Sequence, residues 1–320
     1  MEDGKRTGRW SFFSADGQLA QRGFFENGKK TGRWLFFNDY GSMMGVGNYE
    51  EGEAQGEWKF YFPNGQVMSK MHLNNGLRDS TYTEYHYNGE ISVEGEYEAD
   101  YKMGVWKTYY ENGRIYSAGK FINGLKSGVW KYYNDASILI AEGPYRLDLE
   151  DGQWFKYHKD GQLKSVGSFV MGEEDGNWGL FYLNGQLIQE EKWSMGRLKG
   201  LGPYFSIRGD TLDTGDFSNG SGTRLAYYNT GELETKGEYE DGKPEGKWTF
   251  YFKDGSVSGE GMMKDGEQTG TWTYYYDNGN IESTGTFKSD VKSGNWKYYA
   301  RNGRLMEVVD HDEEVDEEQL

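Results

Sequence analysis

The side chains able to do chemistry in this sequence are 26 tyrosines, 52 aspartates and glutamates, and four histidines; there is no cysteine. Histidines could hold a metal or serve as a general base. They stand at 72, 86, 158 and 311. His86 and His158 occupy equivalent repeat positions three repeats apart, roughly 29 Å at strand spacing, so no two share a metal and each reads as a solvated surface residue. No serine and acid can be placed with a histidine as a triad. Carboxylates are so abundant that pairs at glycosidase separation arise by chance, and nothing singles one out. "GEGMMKDG" (259–266) is no dinucleotide loop, because no helix follows it. Without thiols, disulfides, thiolate nucleophiles and sulfur-bound metals are excluded. The expectation is a chain with no catalytic residue, no metal and no cofactor. What remains is the rings, and their spacing.

Ten of the eleven tryptophans, all but Trp193, stand in one register: Trp10, Trp34, Trp58, Trp106, Trp130, Trp154, Trp178, Trp248, Trp272 and Trp296. Each interval is 24 residues or a multiple of 24, except the step from 178 to 248. Tyr82 fills one missing place, and Gly202 and Arg224 fill two more, 22 residues apart. Thirteen units therefore tile the chain with one two-residue deletion. Three residues after each Trp position an aromatic stands in every unit: Phe13, Phe37, Tyr61, Tyr85, Tyr109, Tyr133, Tyr157, Phe181, Phe205, Tyr227, Tyr251, Tyr275 and Tyr299. Glycine stands two before the Trp position in all units but that of Ser80, and again mostly thirteen after it. Fifteen after lies a further ring in most units, Phe121 among them.

"GVWKTYYENGRIYSAGKF" (104–121) shows what the columns build. Asn-Gly between aromatic and β-branched runs is a hairpin signal. Centring a two-residue type I′ turn on Asn112-Gly113 pairs Tyr110 with Ile115, Tyr109 with Tyr116, Trp106 with Gly119 and Gly104 with Phe121. Each large ring on one face then sits opposite a glycine, which covers the weak point that glycine makes in a strand. A four-residue link over Asn123–Lys126 would set Phe121 against Gly128 and Gly119 against Trp130. Side chains alternate across a strand, so the Trp column and the ring fifteen later share one face. The all-aromatic column falls on the other.

The fold class expected is all-β: an elongated antiparallel β-hairpin repeat array, a single-sheet solenoid or half-pipe of thirteen ~24-residue units, extending on the order of 120 Å. Glycine at 48 of 320 and aromatics at 17% fit that class and argue against wholesale disorder. The formal charge of −17 disfavours nucleic acid and anionic membrane surfaces, and attracts a basic protein. No apolar run approaches the roughly 20 residues of a membrane helix. The lack of a signal-peptide pattern favours a cytoplasmic over an exported chain. Because the repeat begins within the first ten residues, a trimmed leader stays open.

The pattern Gly-x-aromatic-x-x-Gly-x-x-x-Gly, as in "GNYEEGEAQG" (47–56), resembles the MORN repeat. With Trp-x-x-Tyr-Tyr-x-Asn-Gly following, it is similar to the bacterial variant of that repeat, found in antitoxins of the YwqK type. The resemblance covers residues 4–309. It implies an all-β hairpin array and a binding or scaffolding role without catalysis.

Three features stand apart. Units at 202 and 224 lose the Trp, gain Pro203 and share the shortened link "SNGSG" (218–222). Residues 196–226 are therefore expected to form a bend, a seam or a docking point within a 1–309 array, against the alternative of neutral drift. Arg208-Gly209-Asp210 and the Asn219-Gly220-Ser221 sequon fall at turns and read as chance. The acidic run 310–320 reads as a tail that blocks the bare last strand, or as an arm for a basic partner.

The ten Trp residues are assigned a structural role. The column Tyr61, Tyr85, Tyr109, Tyr133, Tyr157, Phe181, Phe205, Tyr227, Tyr251 and Tyr275 is the candidate binding surface, with sheet packing as its plainer reading. The functional expectation is a non-catalytic scaffold binding another protein, in its most concrete form an antitoxin-like sequestration of a basic partner. The alternative is an exported protein that holds a glycan or other polymer on its aromatic columns. The two end strands leave end-to-end self-association open.

Overall fold

In the computed structural model, which describes residue 1 and residues 3–312, the chain is all-β and the described residues contain no helix. It divides into two compact units, Met1–Gly161 and Gln162–Leu320. In the first, antiparallel strands follow one another in hairpin order from Gly8–Phe13 to Gly152–Tyr157. In the second, four strands from Leu163–Val170 to Arg197–Leu201 are followed by a two-stranded hairpin, Tyr204–Phe205 with Thr211–Leu212. An eight-stranded sheet then runs from Gly222–Tyr227 to Leu305–Asp310.

The core of each unit is its Trp column. Trp34, Trp58, Trp106, Trp130, Trp154, Trp178, Trp272 and Trp296 are buried, while Trp10 and Trp248 are half-buried. Each of nine Trp rings lies flat on a glycine of the preceding strand, from Gly23 under Trp34 to Gly285 under Trp296. A Cβ built on any of those glycines would fall 2.0–2.4 Å from the ring, so no side chain fits there. The rings fifteen later close the box edge-on, as Phe121 does on Trp130 at 5.1 Å. Cations roof it: Lys126 Nζ lies 4.6 Å from the Trp130 centroid, and Lys30 and Lys102 sit likewise over Trp34 and Trp106. The indole N–H of Trp130 donates to the carbonyl of Lys120, and the same bond recurs ten residues upstream of Trp34, Trp106, Trp154, Trp178, Trp248, Trp272 and Trp296.

The hairpin pairs Trp106 with Gly119 and Gly104 with Phe121, as expected. The turns are the reverse of the expectation. Tyr109 pairs with Ile115, and the loop between them is a wider one, closed by Gly113 N–H to Tyr110 C=O and Tyr110 N–H to Arg114 C=O. Only Gly113 of the Asn-Gly pair has positive φ (77°), so this is a type I turn ending in a left-handed glycine. The tight turn is in the link. Asn123 (φ 49°) and Gly124 (φ 83°) are both left-handed, and Ile122 pairs directly with Leu125. The link therefore has two residues rather than four, and Phe121 faces Lys126 instead of Gly128.

The extra residues appear further along. Lys120 pairs with Ser127 but Ala118 with Lys131, so one residue opposes three. Gly128 inside that bulge has φ 68° with no atom within 4 Å of a built Cβ. This glycine column answers to backbone conformation, not to room for a ring.

Candidate functional site

The all-aromatic column lies on the face opposite the Trp rings. Its candidate members Tyr61, Tyr85, Tyr109, Tyr133 and Tyr157 in the first unit, and Phe181, Phe205, Tyr227, Tyr251 and Tyr275 in the second, are all half-buried. Several share one local design. The Tyr109 hydroxyl donates to Glu94 at 2.7 Å, and Lys107 reaches the same carboxylate at 2.8 Å. Tyr157 donates to Glu142 (3.0 Å), which Lys131 also meets (3.2 Å). Tyr275 donates to Glu260 (3.1 Å), paired with Lys247 (2.8 Å). The alternation makes this possible: the carboxylate sits one strand back, three residues before the side chain at the edge of the Trp box (Tyr97, Tyr145 or Met263), and so points to the outer face.

Hydrogen bonding from the Lys107 ammonium, then from the Tyr109 hydroxyl, holds the Glu94 carboxyl below its ordinary range. Lys247 does the same for Glu260. Desolvation, with the adjoining carboxylate, raises Tyr109, Tyr157 and Tyr275. Glu94 and Glu260 thus stay ionised and the three phenols neutral at neutral pH. That is the reverse of what proton transfer requires, and it suits fixed charge and hydrogen bonding. Tyr227 donates instead to the Asp213 carbonyl (2.7 Å).

A second tyrosine column, one residue further on, was not singled out from the sequence. Tyr110, Tyr182, Tyr228 and Tyr276 each donate to the carbonyl 23 residues later, in the neighbouring repeat; in the irregular repeat, where Ser206 holds this position, Tyr204 makes the equivalent bond to the Tyr227 carbonyl. Turn amides do the same, as Asn112 Nδ2 does to the Asp135 carbonyl. The signal was present: Tyr at this position and Asn two residues on recur with the 24-residue period. His86 takes the tyrosine's place, with Nε2 2.9 Å from the Tyr109 carbonyl, so it is half-buried and engaged rather than solvated. Among the described residues no group of three His, Asp or Glu is placed to hold a metal.

The irregular segment 196–226 lies inside the second unit. Where the Trp–glycine pair is lost, Arg224 forms an ion pair with Glu191, both side chains largely buried. Arg197 and Lys199 both bind Asp241, and Leu198 N–H donates to Gly242 C=O. Arg208-Gly209-Asp210 closes the small hairpin, with Gly209 N–H donating to Ser206 C=O. Of the acidic run 310–320, residues 313–320 lie outside the described residues.

Six segments, 6–29, 54–75, 104–123, 150–171, 244–265 and 268–289, match the family described as MORN repeat variant. These matches support a MORN-repeat family. No curated protein matches the chain. It is similar, at 13% identity, to the crystal structure of TcdB2-TccC3-Cdc42, over 94% of this chain and 20% of that one, with a TM-score of 0.18. It is similar at 14% identity to the Photorhabdus luminescens Tc holotoxin pore, over 93% of this chain and 18% of that one, at 0.16. The chain thus spans at most a fifth of the solved chains it matches, and a likeness at such TM-scores carries no argument.

Proposed function

We propose that this MORN-type repeat chain is a non-catalytic scaffold that binds a basic protein, in the manner of an antitoxin sequestering its toxin. One observation carries the reading: along the outer face, tyrosine hydroxyls and lysines hold carboxylates in their ionised form at a sheet surface, on a chain of net charge −17. Such a face offers fixed charge and half-buried rings rather than a cleft of converging reactive groups. The bland role of the same rings, holding neighbouring strands, is compatible with it, because a binding surface must itself be rigid.

The test is capture from a native lysate at low and at high salt, with the bound proteins identified by mass spectrometry. The expected result is enrichment of basic proteins that high salt releases. Retention of a polysaccharide in their place, lost in Tyr109→Ala/Tyr133→Ala with the fold intact, would establish the glycan alternative.

A further inference from the structure

The outer face changes character in the first two repeats. The column that holds Glu94, Glu142 and Glu260 elsewhere holds Arg22 here, and Arg9 and Arg33 stand just before Trp10 and Trp34. The three arginines come from three successive strands, Gly8–Phe13, Leu19–Glu26 and Lys29–Phe37. They line one cleft with Gly23, Phe24, Leu35 and Met43, and no Asp or Glu lines it. Among the described residues none of the three guanidinium groups makes an ion pair, although the chain holds 52 carboxylates. Arg22 only caps the Phe37 ring, 5.7 Å from its centroid. Arg9 and Arg33 are exposed and Arg22 is half-buried.

A cluster of three arginines without an ion pair on a strongly acidic chain attracts an anionic occupant, and the sequence supplies one. Asp310 lies opposite Asn295 in the last strand pair and Asp312 is bonded to Gly294 and Ser293, but beyond them come Glu313, Glu314, Asp316, Glu317 and Glu318. The three arginine-bearing strands span roughly 10 Å, and five carboxylates within six residues are dense enough to match three guanidinium groups over that distance. Guanidinium groups suit carboxylates because they bind them in a planar fork.

We propose that the acidic segment 313–320 of a second copy docks across Arg9, Arg22 and Arg33. The contact is heterologous, so copies associate head to tail. It is independent of the basic partner proposed above.

The test has two arms. A labelled synthetic peptide of residues 313–320 is titrated by fluorescence anisotropy into a chain ending at Asp312, and the full chain is followed by sedimentation velocity over a range of concentration and salt. Peptide binding and concentration-dependent association at low salt are expected, both lost at high salt. Arg22→Glu/Arg33→Glu should weaken peptide binding by about tenfold or more and return the full chain to a single copy. Should charge reversal disturb the circular dichroism spectrum, Arg22→Gln/Arg33→Gln serves instead. No peptide binding, equal binding by the substituted chain, or a full chain that sediments as one copy throughout overturns the proposal.

Discussion

Replacing Gly119 by alanine and Gly128 by alanine should have unequal costs, for different reasons. At Gly119 the new Cβ falls 2.1 Å from Trp130 Cδ2, 2.2 Å from Cε2 and 2.4 Å from Cγ, against the roughly 3.5–4.0 Å of an ordinary carbon contact. The ring cannot simply retreat. Phe121 holds it edge-on at 5.1 Å and Tyr145 at 6.1 Å, and its N–H is tied to Lys120 C=O. Overpacking costs about 1–3 kcal/mol, and stranding the buried N–H costs about 1–3 kcal/mol more. We expect about 3 kcal/mol in all, a change of about 100-fold in the local opening equilibrium.

At Gly128 nothing lies within 4 Å of the new Cβ, but φ is 68°, which costs alanine about 1–2 kcal/mol. Asparagine tolerates that conformation, so Gly128→Asn should recover most of the loss, whereas Gly119→Asn should remain as damaging as Gly119→Ala. Because an array stabilised by nearest neighbours need not unfold in one step, the assay is native-state hydrogen exchange of the strands Ile115–Ile122 and Leu125–Tyr133. The reasoning is refuted if Gly119→Ala leaves their protection within a few-fold of the parent chain, or if Gly128→Asn loses as much as Gly119→Asn.

Three further outcomes follow from the geometry. Tyr276→Phe removes the hydroxyl that bonds the Tyr299 carbonyl at 2.8 Å, and should raise exchange at the last repeats by an amount equivalent to about 1 kcal/mol while leaving the first unit unchanged. Arg224→Ala leaves Glu191 buried without its cation and should destabilise the second unit by about 3–5 kcal/mol, whereas Arg224→Met/Glu191→Leu should regain much of that; thermal unfolding of the three chains decides it. Tyr82 is pushed up to about 12 by burial, then by the carboxylate of Glu84; the folded state therefore holds its proton more tightly than the unfolded one, and this stabilisation, full below pH 10, is lost as pH rises to about 12. In Tyr82→Phe the alkaline fall in melting temperature over that window should be shallower.

How much of this was legible depended on which physical constraint wrote each column. The strand content, the hairpin order and the two-faced rings were readable because burial imposes a strict period on side chains, and thirteen copies average out local noise. The pairing of Trp106 with Gly119 was drawn from a two-residue turn at Asn112-Gly113, and it holds although the turn is wider because the register shifts between Ile115 and Ser117. The turns were misread because Asn-Gly serves two purposes. At Asn123-Gly124 it supplies two left-handed residues, whereas at Asn112-Gly113 only the glycine is left-handed and the asparagine reaches Asp135 in the next repeat.

The two glycine columns look alike in the sequence, but one makes room for a ring and the other shapes a bulge. Ser80, at φ 75°, marks the second as conformational. Met71 facing Tyr82 marks the first as steric, since the glycine is given up where the Trp is. On the outer face the rings were legible. Their carboxylate and lysine partners were not, because these contacts join residues 15 and 13 positions apart on different strands, and only some repeats carry them.

The central claim, that this surface is a fixed-charge scaffold for a basic protein, is tested most directly by the affinity of the captured partner as a function of ionic strength. The account predicts a stoichiometric complex whose affinity falls steeply as salt rises through the physiological range, and falls further in Glu94→Gln/Glu260→Gln with the fold unchanged. An affinity indifferent to salt and to those substitutions, or a bound ligand that the chain chemically transforms, would contradict it.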